Sequence, residues 1–388
     1  MIVFISYAKE DSEKVSRIHA DLKASGYQSW MDVHDIAPGQ DWKFALQRAI
    51  STCDAAINCL STKSVSKTGY VQVEVKEFLE QRKRRPEGSI YLIPVRLEPC
   101  QIPSELAEVH YADLFEQGGW EKVIASLGEA KRERRALQEQ GEIRGDFTIR
   151  TRVLEERWEG LPGYTARLSY PDLTGEDATA CDELNTVFRA KRLSTLQWLR
   201  ANRAQQDREF WHDRGETAMF EGITDYRITF VSAAALSVVF TNYKYEGGAH
   251  GMTLFSSDNF QLGPVSRLPL DAFFKSDVDY RAFLGALARE GIKRQAWEHS
   301  LSEEHRFFGD LFSGEMERDW LAQGTTFKDN EMPEFTFSNS GLTLYFPPYQ
   351  VACYAAGTWE ITLPYYDLRD ILRPDGPHNL FIARPEER

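Results

Sequence analysis

At 388 residues, with 42% apolar and 12% aromatic content, the chain is long enough for two or three domains with substantial cores. Its net charge of −13 is uneven: residues 1–140 hold 19 Lys+Arg against 21 Asp+Glu, and the remainder 27 against 38. The acidic second part argues against nucleic acid as a main ligand and suits a basic protein partner, and no run approaches the ~20 apolar residues of a membrane span.

The first residues contain no basic stretch ahead of an apolar one, so no signal peptide is read and a cytoplasmic protein is expected, with no membrane partner. The five cysteines, Cys53, Cys59, Cys100, Cys181 and Cys353, make no CxxC pair. Apolar neighbours predict buried free thiols rather than a metal site or a disulfide framework.

In chain order, the first ~130 residues alternate strand and helix, the pattern of a parallel α/β sheet. IVFISYA (2–8) reads as a strand. Asp11 is a candidate N-cap for a helix with Val15, Ile18, His19 and Leu22 at helical spacing, ended by Gly26. YQSWMD is a short strand, followed by a polar loop with a Pro-Gly turn. Trp42, Ala45, Leu46, Ala49 and Ile50 mark the apolar face of the next helix, which makes Trp42 a core candidate and Asp41 an N-cap candidate. DAAINCLS (54–61) is a buried strand, residues 61–68 a polar loop, and a helix follows from about residue 69. SIYLIPVRLE (89–98) is another strand, with a short last helix near residues 120–127.

The run EAKRERRALQEQGE (129–142) predicts a charged helical linker, placed at 129–144. Beyond it strand-like runs dominate, among them TARLSYP, YRITFVSAAALSVVFTNYKYE, MTLFSSDNFQ, LTLYFPPYQV and TWEITLPY. Helical stretches fall at 178–206, 279–293 and 302–312, an α+β arrangement with antiparallel sheet over residues 145–388.

Five segments of the first part, VFISYAKED, SWMDVHDIAPGQDW, AISTCDAAINCLS, GYVQVEVKEFLE and IPVRLE, resemble a bacterial TIR domain in order and spacing. The resemblance covers about residues 1–135, with the domain placed at 1–128. It implies a flavodoxin-like parallel sheet of five strands. TIR domains are either adapters that assemble or enzymes that cleave NAD+ at the nicotinamide–ribose bond. In the enzymes a Glu on the helix after the fourth-strand loop is essential, often with an aromatic four residues earlier. The corresponding pair here is Tyr70-x-x-x-Glu74, with Tyr where many bacterial members have Trp.

Helix geometry agrees with that assignment. Val71, Val75, Phe78 and Leu79 share a face, and Glu74 falls ~85° from its centre, at the border. Tyr70 and Glu74 are i, i+4 neighbours. Taken by helix position alone, Glu74 reads first as a surface carboxylate near a helix N-terminus, where negative charge is favourable. Within the TIR frame it becomes the candidate catalytic residue, able to stabilise positive charge on the ribose or hold its hydroxyls.

The frame implies further substrate-binding candidates. Ser6, Tyr7, Ala8 and Lys9 end the first strand, where backbone amides and Lys9 could meet a diphosphate. Asp32 and Asp35, with Trp42 beyond, lie on the loop that shapes the pocket in TIR enzymes; His34 reads as solvent-exposed. NAD+ is implied as substrate, with no cofactor and no metal, and self-association of TIR domains is implied for a complete pocket.

The second part is similar to the sensing module of RsiV-type anti-sigma factors, also found beside PdaC-type peptidoglycan deacetylases. The resemblance rests on TARLSYPDLTG with DELN, on YKYEGGAHGMTLFSSDNF, on LPLDAFF, and on GLTLYFPPYQVACYAAGTWEITLPYYDLRDIL. It implies a receptor for an unknown ligand, of protein or phage origin. His250, in a Gly-Gly turn, reads as structural. Tyr349, Tyr354, Trp359, Tyr365 and Tyr366 read as core and rim, some of them recognition anchors. Together the two resemblances imply an NAD+-cleaving effector in antiphage defence, switched on by ligand sensing and TIR self-assembly. The alternative is a non-catalytic TIR adapter or virulence protein.

Overall fold

The computed structural model describes residues 1–31, 53–66, 78–79, 89–160, 162–205, 219–248, 250–300, 306–328 and 332–381. Two compact units divide the chain, the first Met1–Leu137 and the second Gln138–Ser300 with Phe307–Arg388.

In the first unit β1 (Ile2–Ser6), β2 (Gln28–Trp30), β3 (Ala55–Leu60), β4 (Leu92–Arg96) and β5 (Ala112–Asp113) form one sheet in the order β2-β1-β3-β4-β5. Every pairing is parallel. β3 is buried at all its positions, as a central parallel strand covered on both faces requires. One face packs Val3, Ile5, Ile57 and Val95 against Val15 and Leu22 of α1 (Ser12–Ala24) and Val123 and Leu127 of α3 (Gly119–Glu139). The other packs Phe4, Ala56 and Leu60 with Phe78, Tyr91 and Leu106. The five-stranded parallel sheet read from the sequence is therefore present.

Three local readings need correction. The stretch 61–68, read as a loop, contains a helical turn, α2 (Thr62–Ser66), stabilised by reciprocal bonds between Ser61 and Ser64. Asp11 stands at the N-cap position of α1 but makes no capping bond; its carboxylate is used elsewhere. The helix expected near 120–127 runs on to Glu139, and its charged second half is not merely solvated: Arg134 pairs with Asp54, and Glu133 accepts the Ile90 N–H at 3.1 Å.

The second unit carries β6 (Glu142–Arg144), β7 (Phe147–Trp158), β8 (Gly163–Gly175), β9 (Met219–Val231), β10 (Ala235–Tyr245), β11 (Met252–Gln261) and β12 (Ser266–Arg267). They form one sheet in the order β12-β11-β10-β9-β8-β7-β6. It is antiparallel except at β8–β9, which is parallel, so the sheet is mixed rather than purely antiparallel. The reason lies in α4 (Ala178–Gln205): a helix between two neighbouring strands returns the chain in the same direction. Its Leu184 and Phe188 pack with Leu236, Val238 and Phe240.

A second, three-stranded antiparallel sheet joins β13 (Glu334–Phe337), β14 (Gly341–Phe346) and β15 (Trp359–Pro364). Its β13 is tied to the large sheet through side chains. Ser237 Oγ accepts the Phe337 N–H at 3.1 Å, and Asn259 Nδ2 donates to the Phe335 carbonyl at 2.9 Å. Phe273, Leu284, Ile292, Phe337, Leu344 and Trp359 belong to one core, which seats α5 (Tyr280–Ser300) on this sheet.

Candidate functional site

Strand order in the first unit reverses between β1 and β3, and open α/β sheets bind ligands at the carboxyl ends of the strands at such a switch point. Ser6 and Asn58 face each other there in register, and Asn58 Nδ2 donates to Ser6 Oγ at 3.1 Å. Both side chains are buried, as are Tyr7 and Ala8, which pack into the two cores of the sheet. Lys9 is exposed and opens the 3-10 turn Lys9–Asp11. Of the β1 terminus, the Lys9 ammonium is thus the side-chain charge available to an anionic ligand.

Beyond these strand ends lies a polar network. Ser61 Oγ donates to Asp11 Oδ2 at 2.6 Å and accepts the Ser64 N–H at 3.1 Å. Lys14 donates to Glu98 Oε2 at 2.9 Å, while Glu98 Oε1 accepts the Thr62 N–H at 3.1 Å. Those two bonds hold the Glu98 carboxyl down to about 2, Lys14 contributing most, and the Glu98 acceptor raises Lys14 in return. The loops after β1, β3 and β4 are thereby joined by two carboxylates.

Of the candidates read from sequence, the structure brings Ser6, Tyr7, Ala8 and Lys9 to the switch point. Glu74, Tyr70, Asp32, Asp35 and Trp42 lie outside the described residues, as do His34 and Asp41. Phe78, placed by sequence on the apolar face of the Glu74 helix, is buried against Phe4, with ring centroids 5.3 Å apart. Asn58, Ser61 and Asp11 were not singled out as site residues. A polar residue inside the otherwise apolar β3 run AAINCL was the signal available for Asn58.

The second unit presents an aromatic group. His250 stacks on Tyr354 with ring centroids 3.7 Å apart. Its Nδ1 lies 3.1 Å from the Gly251 carbonyl, to which it donates, and its Nε2 lies 3.1 Å from the Tyr349 hydroxyl. Tyr354 also donates to Gly251, at 2.9 Å. Tyr349 is a non-glycine residue with φ of 70°, its carbonyl accepts the Trp320 indole N–H at 2.8 Å, and it remains 43% exposed. His250 thus joins the Gly-Gly turn after β10 to Tyr349 and Tyr354. Trp359 and Tyr365 are core, Tyr366 is exposed, and burial pushes the Tyr365 phenol up. Among the described residues no group of three or more His, Cys, Asp or Glu side chains could hold a metal ion. No helix among them is long and apolar enough to cross a membrane.

Comparison with known proteins gives these features a frame. Residues 3–127 match the TIR domain family model. Residues 162–253 match that of Deacetylase PdaC, and residues 271–366 that of a protein family of unknown function, DUF3298. Peptidoglycan-N-acetylmuramic acid deacetylase PdaC of Bacillus subtilis (strain 168) is 30% identical over 149 residues, which are 38% of this chain. The chain spans only 28% of the length of that relative. A DUF3298 family member from Bacteroides fragilis superposes with a TM-score of 0.44 at 18% identity, over 60% of this chain and 95% of that one. The TIR domain of the Toll-related receptor TRR-2 from Hydra magnipapillata does so with a TM-score of 0.28 at 21% identity, over 32% of this chain and 97% of its own.

Proposed function

We propose that this chain, a TIR domain over residues 3–127 followed by a PdaC-type and a DUF3298-type module, cleaves NAD+ at the bond between nicotinamide and ribose. The observation that carries the reading is the TIR domain itself, with an exposed lysine at the β1/β3 switch point and the pattern Tyr70-x-x-x-Glu74 in its sequence. The N-glycosidic bond breaks, and its electron pair leaves with the nicotinamide nitrogen. Water adds to the ribose carbon and releases a proton, giving ADP-ribose and nicotinamide. An adenine nitrogen attacking the same carbon instead gives a cyclic product.

Glu74 is the residue assigned to stabilise the positive charge that develops on the ribose. Lys9 and the backbone at Ala8 would face the diphosphate, with Ser6 and Tyr7 supporting that strand end. Asp32, Asp35, Trp42 and Tyr70 complete the proposed pocket. NAD+ is substrate, and neither cofactor nor metal is required. TIR self-association brings the pocket to its active form. The second unit acts as the receptor, its ligand shifting the population towards the assembled state. The setting is cytoplasmic, in antiphage defence by NAD+ depletion or a cyclic ADP-ribose signal.

The full chain incubated with NAD+ under assembly-promoting conditions should release nicotinamide, and Glu74→Ala should lose that release. Equal release by both proteins removes the assignment of Glu74. One observation favours a second reading, a non-catalytic adapter: Ser6, Tyr7 and Ala8 turn their side chains into the protein rather than towards a ligand. An unchanged NAD+ pool in cells expressing the assembled protein would support it.

A further inference from the structure

Residues 374–381 of the second unit are anchored to it through side chains. The backbone contacts that precede them are at residues 371–373: Leu372 bridges Phe274, the Ile371 carbonyl accepts the Lys275 N–H at 3.0 Å, and the Arg373 N–H donates to the Phe273 carbonyl at 2.9 Å. Beyond that point, among the described residues, the hydrogen bonds of 374–381 close within 373–381. The Gly376 N–H donates to Arg373, that of Asn379 to Gly376 and that of Phe381 to His378, while Asn379 Nδ2 bonds the Pro374 and Gly376 carbonyls. The segment is a strap folded on itself, with a 3-10 turn at Pro377–Leu380.

Two of its side chains enter the unit. Phe381, 4% exposed, stacks on Phe337 with ring centroids 4.2 Å apart and packs on Phe230 and Phe273 at 4.9 and 6.2 Å. That contact holds the strap down by apolar burial. His378 is 8% exposed, its ring 5.7 Å from that of Tyr365, which is 6% exposed. Here closure carries a penalty, because His378 Nδ1 and the Tyr365 hydroxyl are both buried with no hydrogen-bond partner. Both atoms recover water if the strap lifts. One anchor therefore favours closure and the other favours release.

Protonation strengthens the second tendency. An imidazolium carries a proton on both ring nitrogens, so the charged form puts a donor at Nδ1, where no acceptor stands. Among the described residues no carboxylate pairs with His378. Asp375 is held by Arg373 at 3.0 Å, Asp370 lies 3.9 Å from Arg369, Lys275 Nζ donates to the Asp370 carbonyl at 2.8 Å, and Asp271 and Asp367 are exposed. Burial pushes the His378 imidazole down. A folded value below the ordinary one leaves closure fully supported above about pH 6.5 and weakens it as pH falls towards the folded value.

We infer that residues 374–381 are a strap released by protonation: with His378 neutral, Phe381 plugs the cluster of Phe230, Phe273 and Phe337, and with His378 charged the strap lifts and opens that cluster while the sheets stay folded.

Amide hydrogen exchange of the full chain at about pH 7.5 and about pH 5.5 tests this, read as protection factors at residues 376, 379 and 381 and across β14. In the wild type the strap should be less protected than β14 at the higher pH, as a segment that opens on its own must be. At the lower pH it should lose about three- to tenfold more protection than β14 does, the span open to a group with an ordinary value of about 6.5. His378→Leu should hold that loss to within about twofold. Tyr365→Phe removes the unpaired hydroxyl and should raise strap protection at both pH values while keeping the loss. Phe381→Ala should strip the strap of protection even at the higher pH.

A wild-type strap as protected as β14, unprotected at both pH values, or equally protected at the two overturns the inference. An equal loss in His378→Leu also overturns it, by placing the sensor elsewhere. Should His378→Leu fail to fold, Tyr365→Phe decides: strap protection unchanged or lowered by that substitution overturns the inference, and raised protection with the loss retained supports it.

Discussion

Arg132 and Arg134 stand two residues apart in a run that reads as uniformly charged, yet the structure gives them unequal consequences. Arg134 pairs with Asp54, a carboxylate only 6% exposed at the start of β3, which also accepts the Ile2 N–H at 2.7 Å. Arg132 pairs with Glu129 on the same helix, the two side chains 71% and 46% exposed. Replacing Arg134 by Ala removes an ion-pair partner from a buried anion. Loss of a cation from a fully buried pair costs about 3–5 kcal/mol, but Arg134 is 33% exposed, and the Ile2 N–H and the Met1 ammonium, 3.9 Å away, still support Asp54. The expected loss is therefore about 2 kcal/mol. Arg132→Ala should cost no more than about 0.5 kcal/mol, the range of exposed i, i+3 and i, i+4 pairs. Both changes put Ala into a helix in place of Arg, so propensity cancels in the comparison. Urea dependence of amide exchange in β3 reports the first unit separately from the second, which matters because two units need not unfold in one step. Losses that agree within about 0.5 kcal/mol would refute the argument that burial of Asp54 decides the outcome.

Asp258 is 2% exposed and holds Lys191 at 2.7 Å and Arg267 at 2.8 Å; Asp258→Ala should destabilise the second unit by about 3 kcal/mol in urea unfolding, and a loss under about 1 kcal/mol would contradict this. Glu98 titrates at about 2 in the folded chain against an ordinary 4.5, so its stabilising contribution is present above pH 4.5 and lost as pH falls towards 2. Glu98→Gln should flatten the stability profile of the first unit in that window, and an unchanged slope would remove the Lys14–Glu98–Thr62 tie from the account. Burial, with Asp11 nearby, pushes the Cys59 thiol up, so iodoacetamide at pH 8 should leave it intact while modifying the half-buried Cys353. Equal labelling of the two would show that the β3 core opens.

The elements that sequence reading found are those whose signals are local. β3 announces itself because a run such as AAINCL suits a strand covered on both faces, and α1 because Val15, Ile18, His19 and Leu22 recur at helical spacing. α2 escaped because TKSVS has no apolar period; its start is held by Ser61 and Ser64 hydroxyls, whose geometry composition does not reveal. The parallel β8–β9 pair escaped for another reason. A strand-like run carries no information on the direction of its neighbour, which depends here on where the chain returns after α4. For the candidate site the same division holds. The end of β1 was legible as the end of an apolar run, so Ser6, Tyr7, Ala8 and Lys9 could be placed.

Asp11 shows where local rules mislead and why. N-cap preference is a statement about the three residues that follow an aspartate, and by that rule Asp11 belongs to α1. The carboxylate has a second suitor in Ser61, and the contest is decided by the parallel pairing of β1 with β3, which carries both residues to the same edge of the sheet. His250 and Tyr349, 99 positions apart, also meet in the second unit, although the strands that precede them belong to different sheets. A polar residue just beyond the end of a paired strand, as Asp11 is, is thus read wrongly when judged by its sequence neighbours alone. Once the strand order is known, the residues beyond adjacent carboxyl ends are the ones to examine as a set, and in this chain that set contains Lys9, Asp11, Ser61 and Glu98.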